Sequence, residues 1–351
     1  MAVFPVPTAI ANGQMNTLYG IQYLRAFAAT AVVVFHAAER TGFNFAIGAA
    51  GVDVFFVVSG FIMMVISDRR PLMPLSFLRD RLLRIAPSYW IVTVIMLAGA
   101  AAGLFPNLQI EPLHVLGSLL FFPVASPNGG HLWPVLVQGW TLNYEIFFYL
   151  VFAVVLLVPA GRRLPMLIGS LVLFVLLGRL VDEGNPVVAF YTAPLILEFA
   201  AGAWLARLWL RRALPSAFVG GFMIAISLGG FAFVHFGQLE FDAWTCGPLS
   251  IILVAGVLAM ESGKQLPNMQ LLAYLGDASY SIYLWHTLAL SVVIKGGIYL
   301  GLAPLFVLAC GVVAGTVLGL AAYEVVEKPI QALVKQRRLA TDFAVIRPPG
   351  P

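Results

Sequence analysis

Arg25 and His36 stand eleven residues apart in an otherwise apolar stretch, Tyr19-Gly-Ile-Gln-Tyr-Leu-Arg25 through Phe35-His36. At 100° per residue they fall within about 20° of one helical face, roughly 16 Å apart along the axis. Ala29 and Val32 lie between them, which reads as a narrow-walled, open groove. A guanidinium suits a phosphate or a carbonyl dipole, and an imidazole moves protons near neutral pH. Taken singly, the arginine is equally a snorkelling side chain and the histidine a hydrogen-bonded packing group. On one face together they point to chemistry.

Four further groups carry polar chemistry. Asp53 interrupts Gly51-Val-Asp53-Val-Phe-Phe-Val-Val-Ser59. It either orients His36, closes an ion pair with an arginine, or caps a helix start. Arg79, Arg81 and Arg84 precede Ile85-Ala86-Pro87-Ser-Tyr89-Trp90, with Arg81 and Arg84 on one face at i,i+3. They form either a clamp for the phosphates of a nucleotide-bearing donor or an anchor on lipid phosphates. Trp140-Thr141-Leu-Asn143-Tyr144-Glu145 opens an aromatic stretch in which Thr141, Glu145 and Tyr149 share a stripe. Glu145 either holds an acceptor hydroxyl, tunes a neighbouring base, or bonds a facing helix. Ser279, Tyr280, Tyr283 and His286 place a polar face in Ser-Tyr-Ser-Ile-Tyr-Leu-Trp-His, with His286 structural or catalytic. Glu324 and Glu327 are read as structural partners of the arginine segment.

The elements that hold these groups are set by composition. The 351 residues are 61% apolar and 10% charged, far below the roughly 25% charge of a soluble domain. The fold class expected is an all-α polytopic membrane bundle. Ten stretches reach the length of about 20 residues that a span needs: 19–39, 45–66, 86–104, 140–160, 164–181, 187–209, 216–236, 243–261, 279–295 and 302–323. The apolar segment 113–124, between Pro112 and Pro123, is too short and is expected to be re-entrant or interfacial. Residues 1–18 form a loose N-terminal tail without a signal peptide, 19–330 the membrane domain, and 331–351 a basic tail. Cys246 and Cys310 offer no disulfide framework.

Basic residues fix the expected orientation. With the N-terminus cytoplasmic, one side holds Arg69, Arg70, Arg79, Arg81, Arg84, Arg162, Arg163, Arg207, Arg211, Arg212, Lys264, Lys328, Lys335, Arg337, Arg338 and Arg347. The other side holds Arg40, Arg179 and Lys295, with acidic Glu111, Asp182, Glu183, Glu240 and Asp242. Both termini are therefore expected in the cytoplasm. The net charge of +4 belongs to this topology, and no nucleic acid is expected as a partner. Phosphate-binding glycine loops, zinc-protease helices and serine-hydrolase elbows are missing from the sequence, and no metal is expected.

Together these motifs resemble the acyltransferase-3 family. The resemblance runs from about residue 18 to 330. It rests on Arg25 with His36, on Gly51-Val-Asp-Val-Phe-Phe-Val-Val-Ser-Gly-Phe61, on Arg81-Leu-Leu-Arg84-Ile-Ala-Pro-Ser-Tyr-Trp90, on Trp140-Thr-Leu-Asn-Tyr-Glu145 and on Ser279 to His286. Ile21-Gln-Tyr-Leu-Arg25 and Gly139 to Tyr149 resemble its exopolysaccharide-production branch most. The resemblance implies an integral membrane O-acetyltransferase with acetyl-CoA as co-substrate. Its acceptor would be a sugar hydroxyl of an exopolysaccharide, another envelope glycan or a lipid-linked precursor. His36 would be the central catalytic residue, as base or acyl carrier, and Arg25 its partner. Arg81 and Arg84 would hold the donor phosphates, with Arg79 beside them. Family members often carry a further basic residue where this chain has Asp80. Some carry an extracytoplasmic hydrolase-like domain, which is not expected here. The place implied is the cytoplasmic membrane, among lipid and glycan-synthesis machinery. Two other classes use many spans and buried charges: a glycan transporter or flippase without chemistry, and a non-catalytic assembly partner. Transporters of that kind show internal repeats with broken helices in matching halves, and this sequence shows no repeat.

Overall fold

The computed structural model of the protein describes residues 9–11, 14–16, 18–69, 71–105, 107–180 and 184–334. Most of both expected tails, together with Arg70, Asp182, Glu183, Lys335, Arg337, Arg338 and Arg347, lies outside the described residues. Ahead of the helices, Ala9–Ala11 pairs antiparallel with Gln14–Asn16.

The helices are α1 (Tyr19–Thr41), α2 (Gly51–Arg69, entered through a tight turn at Ala46–Ala50), α3 (Pro74–Ala101), α4 (Pro112–Leu119) and α5 (Trp140–Val155). They continue as α6 (Ala160–Gly178), α7 (Pro186–Tyr191), α8 (Leu197–Leu210), α9 (Ala217–Phe236) and α10 (Cys246–Ser262). Last come α11 (Gln270–Asp277), α12 (Ser279–Tyr299) and α13 (Pro304–Ala322), which runs on through a π turn at Tyr323–Glu327.

Among the described residues, eight stretches are long and apolar enough to cross a membrane. The ten spans expected are corrected in two places, because α5 with 16 residues and α10 with 17 are shorter. The helix that opens at Trp140 ends at Val155 rather than at 160. The third helix is also corrected: it starts at Pro74, not at 86. A proline is well placed in a first turn, where its missing N–H has no partner to lose. The arginine segment is thus helix, not connection. The short helix α4 and the break between α7 and α8, at Thr192–Ala193–Pro194, complete the irregular parts.

Hydropathy alone does not say which helix is central. The most apolar window of the second span has mean hydropathy 2.3 and is 72% buried. The equivalent window of α9 has 2.1 and is only 22% buried, so α9 is a peripheral, lipid-facing helix. The centre is α1, α2 and α12. Water gives no driving force between helices in lipid, so close backbone packing must supply it. Gly60 of α2 and Gly202 of α8 do this: a Cβ at Gly202 would overlap the Val57 carbonyl, and one at Gly60 the Phe199 carbonyl. Gly220 and Gly256 join α9 to α10 in the same way, each Cβ position 2.7 Å from the other's carbonyl oxygen.

The start of α1 is capped from outside its own sequence. Leu18 offers no side-chain cap. Glu261, at the end of α10, instead accepts the Tyr19 N–H at 3.2 Å and the Gly20 N–H. A carboxylate there satisfies orphan donors and faces the positive end of the helix dipole.

Three outcomes are expected in detergent-solubilised protein followed by thermal unfolding. Gly202→Leu lowers the midpoint or prevents recovery of folded protein, since overpacking costs about 1–3 kcal/mol or more. Gly221→Leu, into open space, changes stability by less than about 0.5 kcal/mol. Glu261→Ala destabilises by about 1 kcal/mol through loss of the cap.

Candidate active site

Helix α12 packs against α1, and two polar sites lie toward the opposite ends of α1. At the first, Arg25 is 7% exposed. Its Nη1 donates to Gln22 Oε1 at 3.1 Å, and Gln22 Nε2 donates to Asp277 Oδ1 at 2.6 Å. Arg84, Glu327, Asp277 and Tyr323 make up the electrostatic surroundings of Arg25. The π turn of α13 aims Glu327 inward, where it accepts Ser281 Oγ at 2.5 Å and Gln331 Nε2 at 2.7 Å. Such turns in a helix recur at functional sites. Asp277, between α11 and α12, has its carboxyl pushed up by burial, against the pull of Arg25, Arg84 and Lys328.

Beside this cluster lies a second group. Glu145 accepts Ser59 Oγ at 3.3 Å and the Tyr149 hydroxyl. Arg81 is buried on α3, with its Nε unpartnered, among Tyr149, Arg84, Asp80 and Glu145. Tyr280 donates to the Ile85 carbonyl at 2.7 Å, two residues before Pro87, and lies near both Glu327 and Glu145. The expected surface position of Arg81 is corrected: helix α3 carries it inside. Arg79 is exposed and pairs with Asp80 at 3.7 Å, while Arg84 is half-buried.

At the other end of α1 the imidazoles of His36 and His286 stack, with centroids 5.3 Å apart and planes at 25°. His286 Nδ1 lies 3.1 Å from the Ile282 carbonyl. A carbonyl only accepts, so Nδ1 carries the proton and the unpartnered Nε2 presents its lone pair. His36 is half-buried, with Nδ1 3.5 Å from Glu39 Oε2. Arg40 closes this end by donating to Thr287 O at 3.3 Å and Ser291 Oγ at 3.1 Å. Thr141 Oγ1 and Tyr283 Oη are 3.0 Å apart, and Tyr283 donates to the Gln138 carbonyl at 2.9 Å. A cavity of about 270 Å³ opens here, lined by His36, Asp53, Trp140, Asp242 and Tyr283 with apolar neighbours.

The spacing argument for α1 holds in part. Both Arg25 and His36 turn toward α11 and α12. The open groove between them does not exist, because Ala29 packs with Val33, Ala278, Ile282 and Tyr323. Asp53 lines the cavity, in the first turn of α2, and none of the arginine ion pairs found among the described residues includes it. Glu145 is bonded to Ser59 and Tyr149 and stays outside the cavity lining, whereas Trp140 belongs to it. Ser279 is buried without a partner. Glu324 pairs with Lys328 at 2.6 Å and accepts Tyr274, so only Glu327 faces the arginines. Sequence reasoning missed Glu198, a buried acid in apolar α8. The rule that flagged Asp53, a charge inside a span, flags it equally.

The acyltransferase-3 family profile, an acyltransferase domain, matches residues 18–324. The chain is 50% identical to the exopolysaccharide production protein ExoZ of Rhizobium meliloti, over 89% of this chain and 98% of that one. It is 26% identical to the putative membrane-bound transacylase BcsY of Komagataeibacter xylinus, over 77% of this chain and 72% of that one. It is 25% identical to the O-acetyltransferase OatA of Staphylococcus aureus, over 90% of this chain but 57% of that one. No solved structure matches. With the match covering nearly all of the described bundle, the chain belongs to the acyltransferase-3 family and is a multi-pass membrane acyltransferase.

Proposed function

We propose that the protein transfers an acetyl group from acetyl-CoA to a sugar hydroxyl of an exopolysaccharide, a related envelope glycan or its lipid-linked precursor. The observation that carries this reading is His36 in the wall of the cavity, stacked on the buried His286, at the far end of α1 from the arginines. The names of the relatives, exopolysaccharide production and O-acetylation, supply the acceptor class.

The donor phosphates sit with Arg81 and Arg84, and Arg25 belongs to the same end. Its place among Gln22, Asp277 and Glu327 sets it apart from His36, so it is not an oxyanion donor there. The buried guanidinium of Arg81, with its Nε–H unpartnered, suits a phosphate oxygen. Positive-inside asymmetry puts that end at the cytoplasm, where acyl-CoA is made available, and both termini with it. The acceptor occupies the cavity. His36 takes the proton of the sugar hydroxyl as its oxygen attacks the thioester carbonyl. The carbon–sulfur bond breaks, the thiolate leaves, and His36 returns the proton to sulfur. Sugar ester and free thiol are the products, and no group remains on the enzyme. His286, with its proton held on Nδ1, stacks on His36 and fixes the ring plane. Tyr283 is the lining residue that carries a hydroxyl, and it serves the developing oxyanion by turning its proton from the Gln138 carbonyl.

Purified protein is assayed for thiol release from acetyl-CoA with a lipid-linked glycan fraction. His36→Ala loses about 10²–10⁴-fold in transfer, while its unfolding midpoint stays close to that of the parent. Arg81→Gln and Arg84→Gln raise the KM for acetyl-CoA about tenfold or more and leave the acceptor KM unchanged. Glycan acetylation by His36→Ala at the parent rate removes the base role, and thiol release by neither protein removes acetyl-CoA as the donor.

A further inference from the structure

Glu198 is the buried acid among the described residues whose two carboxyl oxygens both lack a donor. It is 3% exposed, and neither carboxyl oxygen receives a hydrogen bond from any donor among the described residues. Its neighbour within bonding reach is the carboxyl of Asp53, itself 4% exposed. Two carboxylates only accept, so these two bond to one another only through a proton. Two adjacent negative charges in so dry a place do not persist together.

The backbone is built to make this pair. The break at Thr192–Ala193–Pro194 starts a new helix at Leu197 and puts Glu198 in its first turn. Asp53 likewise lies in the first turn of α2. The positive ends of two helix dipoles therefore converge on the pair and stabilise a single negative charge. Gly247 of α10 makes the room, since a Cβ there would lie 2.9 Å from Glu198 Oε1. Asp53 then faces the cavity, whose lining includes Trp140, Phe241, Asp242 and Tyr283 and contains no lysine or arginine. Aromatic walls with carboxyl oxygens suit the apolar faces and hydroxyl edges of a neutral sugar ring.

We propose that Glu198 is a positioning residue for the acceptor: it shares one proton with Asp53 and so holds the cavity-facing oxygen of Asp53 on a sugar hydroxyl beside the one that reacts. This rests on the reading of the cavity as the acceptor site. Without Glu198, Asp53 loses the partner that fixes its rotamer and its charge, and acceptor binding falls. Glutamine in its place supplies an N–H in the position of the shared proton and keeps Asp53 fixed.

The test compares wild type, Glu198→Ala and Glu198→Gln by steady-state transfer. Binding of methyl β-D-glucopyranoside is measured alongside by saturation-transfer NMR, which needs no turnover. Glu198→Ala raises the acceptor KM about tenfold or more, with donor KM and kcat within about twofold, and weakens glucoside binding in parallel. Glu198→Gln stays within about threefold of wild type in both readouts. Unchanged acceptor KM and glucoside binding in Glu198→Ala overturn the proposal. So does Glu198→Gln as impaired as Glu198→Ala, or a joint loss of kcat and donor KM with acceptor binding intact. Glucoside binding that weakens as described, in a protein that transfers no acetyl group, overturns acetyl-CoA as the donor and supports the role of Glu198.

Discussion

The cost of burying charge in a bilayer governs this structure. A charge at the centre of a span costs about 3 kcal/mol or more, and this bundle carries Arg25, Arg81, Asp53, Glu198 and Glu327 nearly out of solvent. Most are answered by polar neighbours, whereas Arg81 keeps its Nε without a partner. Arg25 leans on Gln22 and through it on Asp277, and Glu327 collects Ser281 and Gln331. Asp53 has Glu198. The helices that supply these partners, α1, α2, α8 and α12, are also those packed through glycines, because polar partners a hydrogen bond apart demand backbones that approach closely.

This constraint separates two ends along α1. Ala29 and Val33 fill the middle with apolar packing, so neither end is an extension of the other through a groove. Polar connection runs instead around that packing, by Tyr280 between Glu327 and Glu145 and by Tyr283 between Thr141 and the cavity. On the proposed reading, phosphate chemistry belongs at the arginines and proton chemistry at the histidines. A long, flexible donor such as acetyl-CoA is suited to span the two, with its charged part held at one end and its thioester delivered to the other. A bundle that only carried a glycan across the membrane has no need of the separation.

Much of this was legible in the sequence because a membrane removes ambiguity. An acid or a base in an apolar run is conspicuous, and 100° per residue put Arg25 and His36 on the same side of α1. The Ser279 to His286 segment declared its inward face for the same reason. What stayed hidden depends on tertiary contacts. His286 gains meaning only by stacking on His36. The inward aim of Glu327 needs a π turn, which has no residue signature. Helix α3 begins twelve residues before its apolar stretch, since amphipathic turns next to a membrane read as connection. Glu198 is as visible as Asp53 by the same rule, a charge inside an apolar span, but its pairing with Asp53 across α2 and α8 has no sequence signature.

The central claim is that donor phosphates rest at the arginine end while the thioester reaches His36. Electron cryo-microscopy of the protein saturated with coenzyme A tests it most directly. The account predicts phosphate density within hydrogen-bonding distance of Arg81 and Arg84, and the thiol within about 4 Å of the place beside His36 that an attacking hydroxyl would take. Phosphates in the cavity beside Asp53 and Asp242, or a thiol that ends outside the bundle, would contradict it.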